Sequence, residues 1–118
     1  MLTLSPAVRI YVATGATDLR RSIDGLSAVV RDHFGIDPLS GHLFLFRNRR
    51  GDRLKILAWD RSGFVILYKR LEQGTFAWPT ETDGTPVEMR SSDLWLLLSG
   101  VDVAGTRCRR WYERVASS

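Results

Sequence analysis

The sequence predicts an α+β domain: a single antiparallel β-sheet with Arg-rich hairpins, packed by two helices. Three observations carry that expectation. Alternating runs separated by turn residues fill residues 42–70. A stretch with apolar residues three and four apart precedes them, and a second apolar stretch behind a pair of serines follows them. The chain has 118 residues, 44% of them hydrophobic, which suits one core and is short for two. The domain is expected over residues 1–105, with a basic C-terminal tail over 106–118.

Val8-Arg9-Ile10-Tyr11-Val12 alternates apolar and polar and reads as a first strand, broken by Gly15. Thr17 is placed to cap a helix, with Asp18 in the first turn, where the helix dipole favours an anion. Leu19, Ile23, Leu26, Val30 and then His33 or Phe34 recur at helical spacing, predicting an amphipathic helix of about four to five turns. Gly25 lies inside it at a cost of up to ~1 kcal/mol, which points to close packing of helix on sheet. Gly35 and the Asp37-Pro38 pair stop it.

Residues 42–47, 53–59 and 64–70 form three strand-like runs. Asn48-Arg49-Arg50-Gly51-Asp52 and Asp60-Arg61-Ser62-Gly63 between them carry turn chemistry. Phe44, Phe46, Leu54, Ile56, Ala58, Phe64, Ile66 and Tyr68 fall on even numbers, while Arg47, Arg53, Lys55 and Lys69 fall on odd ones. If strand pairing preserves this parity, one face is an apolar core and the other is basic, diluted by Leu57, Trp59, Val65 and Leu67. Such an apolar patch rimmed by charge would suit a protein partner. Residues 74–79 read as the start of another short strand, 80–86 as a polar loop, and 87–90 as a last strand. Ser91 or Ser92 caps a second helix with Asp93 in its first turn; residues 94–98 are apolar nearly all round, as in a buried helix, and Gly100 is a natural C-cap. The tail from 104 to 114 reads as a short basic helix or an arm.

Composition excludes several classes. The one cysteine, Cys108, forbids a disulfide framework or a Cys-based zinc site. No apolar run approaches the ~20 residues that span a bilayer. The N-terminus has no charged segment followed by an apolar one, so a cytoplasmic location is expected. The net charge is +4, but it is unevenly placed. Residues 44–70 hold eight basic groups against two acidic ones, and residues 107–114 hold four against one, which leaves the rest of the chain acidic. Clustering of this kind favours a polyanionic partner.

No residue constellation is specific for catalysis. A two-metal nuclease needs several carboxylates converging on ions ~3.5–4 Å apart. Asp18, Asp24 and Asp32 come nearest, but Asp18 and Asp24 fall on different sides of the expected helix. His33 and His42 have no metal-ligand spacing, and Cys108 has no His partner that would make it a nucleophile. Gly15-Ala16-Thr17-Asp18 resembles an anion-binding helix start, without the lysine of a P-loop or a GxGxxG. The chain is therefore expected to be non-enzymatic, with no cofactor and no metal. The basic, aromatic hairpins are the strongest feature, because Arg binds phosphate through two parallel hydrogen bonds and stacks on bases. The candidate nucleic-acid-binding residues are Arg47, Arg49, Arg50, Arg53, Lys55, Arg61, Lys69 and Arg70.

Two stretches carry a family likeness. Residues 12–26 read Val-Ala-Thr-Gly-Ala-Thr-Asp-Leu-Arg-Arg-Ser-Ile-Asp-Gly-Leu. Residues 45–64 read Leu-Phe-Arg-Asn-Arg-Arg-Gly-Asp-Arg-Leu-Lys-Ile-Leu-Ala-Trp-Asp-Arg-Ser-Gly-Phe, and residues 68–79 follow with Tyr-Lys-Arg-Leu-Glu-Gln-Gly-Thr-Phe-Ala-Trp-Pro. Over about residues 8–103 the sequence resembles the TnpB accessory-protein family of the insertion-sequence elements numbered sixty-six, which is distinct from the RNA-guided nuclease of the same name. Family members commonly carry Met at the Leu19 position and Gly-Phe at Ser22-Ile23, so the departures are conservative. The resemblance implies a role in transposition beside a separate large transposase that carries the acidic catalytic triad. Arg47, Arg49, Arg50, Arg53, Lys55, Asp60, Lys69 and Arg70 match the family's motif positions; a DNA role for the basic ones follows from their charge.

Three functions are then in play. The first is a transposition accessory protein that binds DNA, expected at the element's ends, through the hairpin face. The second is an adaptor that docks on the transposase subunit without touching DNA. The third is a metal-dependent nuclease using Asp18, Asp24 and Asp60.

Overall fold

Two turns decide which side of the sheet each residue of the hairpins reaches. The computed structural model describes residues 6–79, 84–99 and 112–114. Its strands are β1 (Ile10–Ala16), β2 (Leu43–Arg47), β3 (Arg53–Asp60), β4 (Gly63–Arg70), β5 (Val87–Met89) and β6 (Tyr112–Arg114). Its helices are α1 (Ile23–Val29), continued by a π-helical turn (Val30–Phe34), and α2 (Ser91–Ser99), with a short 3₁₀ turn at Pro38–Ser40. The six strands form one sheet in the order β4-β3-β2-β1-β5-β6.

The α+β class holds, but the sheet is mixed rather than wholly antiparallel, because β1 and β2 run parallel. The connection between them carries α1, and a parallel pair needs a long crossover of this kind. All other neighbouring strands are antiparallel. Tyr112–Arg114, expected in a helix or an arm, instead adds the strand that pairs with β5. Arg107, Cys108, Arg109, Arg110 and the expected cap Gly100 lie outside the described residues, as does most of the 80–86 loop.

The expected apolar and basic faces do not form. In the β2–β3 hairpin Phe44 pairs with Leu57 and Leu45 with Ile56. In the β3–β4 hairpin Lys55 pairs with Tyr68 and Asp60 with Gly63 around the two-residue turn Arg61-Ser62. Such a turn joins residues three apart in number, so an odd residue always faces an even one. Parity inverts at each hairpin, and both faces of the sheet are apolar over most of their area. One face, with Ile10, Val12, Leu45, Leu54, Ile56 and Val87, is covered by Leu94 and Leu97 of α2 and by Phe76 and Trp78. The other, with Tyr11, Phe44, Phe46 and Leu57, is covered by Leu26 and Val30 and by Phe34. The basic residues are divided between the faces. So are the four residues expected to dilute a basic face: Leu57 is fully buried on one side, and Leu67 packs on the core of the other.

Local differences have local causes. β1 runs through Gly15 to Ala16, with its register against β2 shifting between Val12 and Ala16, so Gly15 bends the strand rather than ending it. The first helix begins at Ile23, not after Thr17. The Asp18 side chain accepts the backbone N–H of Arg20 at 3.0 Å, a local turn that competes with helix formation. Gly25 does not mark contact with the sheet: the atoms nearest to a Cβ there are those of Arg21, at 3.0 Å. Gly35 does end the helical stretch, with φ 70°. Residues 74–79 are not a strand, although Phe76 and Trp78 are core. Only one side of α2 is buried, since Trp95 is 53% and Leu96 44% exposed.

Candidate nucleic-acid interface

The turn between β2 and β3 is organised by Asn48. Its Oδ1 accepts the backbone N–H groups of Gly51 and Arg53, each at 3.0 Å, and its Nδ2 donates to Asp52 Oδ1 at 3.0 Å. That bond holds the Asp52 carboxyl below the usual carboxylate range. Gly51 is buried at φ 83°, a conformation that glycine adopts without strain. A strap over residues 71–78 clamps the turn from beneath. Phe76 N–H donates to Gly51 O and Leu71 N–H to Asp52 O, both at 2.8 Å, and Trp78 Nε1 donates to Ala13 O at 2.7 Å. Arg49 and Arg50 are left exposed at the tip.

Arg47, at the end of β2, fastens the strap. Its Nη1 donates to Phe76 O at 2.9 Å, and its guanidinium lies 5.4 Å from the Trp78 ring centre. Burial lowers its pKa. Lys69 lies on the same side of the sheet and donates to Leu98 O near the end of α2. Both cations therefore serve packing. Arg61 is exposed in the β3–β4 turn with φ 54°, at the far end of β3 from the Asn48 turn.

Arg53, Lys55 and Arg70 share the α1 face. Arg53 pairs in register with Arg70, and Lys55 with Tyr68. Lys55 Nζ donates to Arg21 O at 3.1 Å and lies 5.7 Å from the Tyr68 ring centre. Arg70 makes an exposed 3.4 Å contact with Glu72. Arg49, Arg53 and Lys55 line one groove of about 770 Å³, together with Asn48, Tyr68 and the segment Ala16, Thr17, Asp18, Leu19 and Arg20. Thr17 N–H donates to Arg47 O at 2.9 Å, which ties that segment to β2. Arg20 is gripped by Asp18 through Nε at 2.9 Å and Nη2 at 2.8 Å. These bonds hold the Asp18 carboxyl well below the usual carboxylate range.

Of the eight expected residues, the fold thus brings Arg49, Arg53 and Lys55 into one groove, with Arg50 and Arg70 beside it. It separates Arg47, Lys69 and Arg61 from them. Arg20 and Tyr68 line the same groove and were missed. Arg20 ends the Thr-Asp-Leu-Arg motif, which was the available signal; Tyr68 was assigned to the core by parity. A smaller groove of about 350 Å³ carries mixed charge, with Asp18 and Asp32 beside Arg21 and His33.

A family model described as IS66 Orf2 like protein matches residues 8–108. The chain belongs to the IS66 Orf2-like family. Membership places it among the accessory proteins of insertion-sequence transposition. Two proteins of Sinorhizobium fredii (strain NBRC 101917 / NGR234), each described as uncharacterized, are similar to this family member. The protein y4jC is 40% identical over 110 residues, covering 93% of this chain and 92% of its own. The protein y4hO is 38% identical over 102 residues, covering 86% and 88%. No solved structure matches the chain. Among the described residues of this IS66 Orf2-like protein, no three His, Cys, Asp or Glu side chains gather in a way that could hold a metal, and no helix is long and apolar enough to cross a membrane.

Proposed function

We propose that this IS66 Orf2-like protein is a non-catalytic, cytoplasmic accessory protein that binds DNA phosphates, at the ends of its element and beside the transposase subunit, through the groove next to the Asn48 turn. One observation carries the reading: Arg20, Arg49, Arg53 and Lys55, from three different stretches of backbone, converge on one groove of about 770 Å³. Guanidinium groups grip phosphate through two parallel hydrogen bonds, and a concave site concentrates their field. Such contacts position a protein on DNA without reading its sequence. The reading assigns no cofactor and no metal. A gel shift with the element's terminal repeats, with and without the transposase, tests it. A shifted band at low salt that fades as salt rises supports it; no band under either condition removes it.

The adaptor reading rests on a different surface from the one the sequence pointed to. Trp95 and Leu96 are large, apolar and exposed on α2, on the opposite side of the sheet from the groove. Co-purification of the transposase with the intact chain, lost on Trp95→Ser without loss of DNA binding, would assign that surface to the transposase.

A further inference from the structure

Tyr68 is out of keeping with its strand. Phe64 and Ile66, on the same face of β4, pack against the core beneath α1. Tyr68 is 50% exposed, with its ring in the groove. Its cross-strand neighbour is Lys55, whose Nζ is held between the ring and Arg21 O. The groove thus presents an open aromatic ring carried by the sheet. Arg53 stands on the neighbouring strand, Arg49 on one wall and Arg20 on the other.

A duplex offers this arrangement only phosphates, since each of its bases has both π-faces covered by neighbours. A single strand offers an uncovered base between two phosphates, the pattern that combined aromatic and cationic sites take. We propose that the groove takes an unpaired nucleotide of single-stranded DNA, with its base on the Tyr68 ring and the flanking phosphates on Arg49, Arg53 and Arg20. This rests on the DNA-binding reading above and adds the form of DNA recognised. Lys55 acts as a positioning residue: its ammonium, anchored on Arg21 O, fixes the ring from one side.

The test uses the full chain and three fluorescent probes in anisotropy titrations: a 15-nucleotide single strand, the same strand in a duplex, and a 15-unit abasic strand. The single strand should bind about tenfold tighter than the abasic one, the worth of one base–aromatic stack. Tyr68→Ala should abolish that difference. Tyr68→Phe should retain it. If Tyr68→Ala leaves the single strand's advantage in place, or weakens all three probes alike, stacking on Tyr68 is refuted while phosphate binding stands. If the intact chain binds none of the probes at low salt, both this proposal and the DNA reading fall.

Discussion

Replacing two of the groove's arginines should change how DNA binding responds to salt, by an amount that the geometry sets in advance. Four cations line the groove: Arg20, Arg49, Arg53 and Lys55. If each meets one phosphate on duplex DNA, log K falls against log salt with a slope of about −3.6, so raising salt from 50 to 200 mM weakens binding about 150-fold. Arg49→Ala combined with Arg53→Ala leaves two cations, a slope of about −1.8 and a loss of only about 12-fold over the same range. Both side chains are exposed, and Arg53 contributes to the Asn48 turn only through its backbone N–H and carbonyl, so the melting temperature should not move. Arg61→Ala is the control: it removes one positive charge at the far end of β3 and should leave the slope at its original value. Anisotropy titrations at five salt concentrations measure all three proteins. An unchanged slope in the double variant would refute the groove as the phosphate site. A flattening by Arg61→Ala of about 0.9, half that of the double variant, would mean that net charge, not position, governs binding.

Three further outcomes follow from the same contacts. Gly51→Ala should destabilise the fold by about 1–3 kcal/mol, because φ is 83° and the new Cβ would sit 3.1 Å from Arg47 Nη1 and 3.2 Å from Thr75 Cβ; chemical denaturation measures it. Arg47→Met should lower the melting temperature by removing the bond to Phe76 O while leaving the salt slope intact, and a lost slope with an unchanged melting temperature would return Arg47 to the phosphate site. Asp18 has a folded-state pKa below its unfolded one, so its stabilising effect is complete above the ordinary carboxylate pKa and is lost as pH falls through the folded value. The stability gap between the wild type and Asp18→Asn should therefore be small but measurable at pH 7, since the pair is exposed, and should close as acid is added.

The strands were legible because turn residues bracket them: Asn48 to Asp52 and Asp60 to Gly63 mark the two hairpins where they occur. Gly35 likewise announced the end of the first helical stretch. Facing was not legible. It depends on how many residues each turn leaves unpaired, and the two-residue turn at Arg61-Ser62 reverses parity in a way that alternation within a strand does not reveal. The start of α1 was misplaced for a related reason. A residue such as Asp18 serves equally as a helix cap or as the acceptor in a turn of its own, and Arg20 decided the matter by adding a second and third bond to the same carboxylate. In the groove, charge identified Arg49, Arg53 and Lys55, because cations gathered around a turn are exposed whatever the facing. Charge did not show facing: Arg47 and Lys69 donate to carbonyls within the chain, as Lys55 does, but from the opposite face of the sheet. Tyr68 was hidden by its neighbours: Phe64 and Ile66, on the same face of the strand, pack against the core, whereas Tyr68 is half exposed.

The strap under the Asn48 turn has a consequence for the rates of binding. It is fastened to the turn at Gly51 and Asp52, to β2 through Arg47 and to β1 through Ala13. The groove's other wall is fastened to that same Arg47 through Thr17. Both walls thus share one anchorage in the central strands. A ligand meeting such a site finds it already shaped, so little conformational entropy is lost on capture. Arrival should then be set by electrostatic attraction over distance rather than by waiting for an opening motion, and differences between DNA ligands should be expressed in how long each one stays.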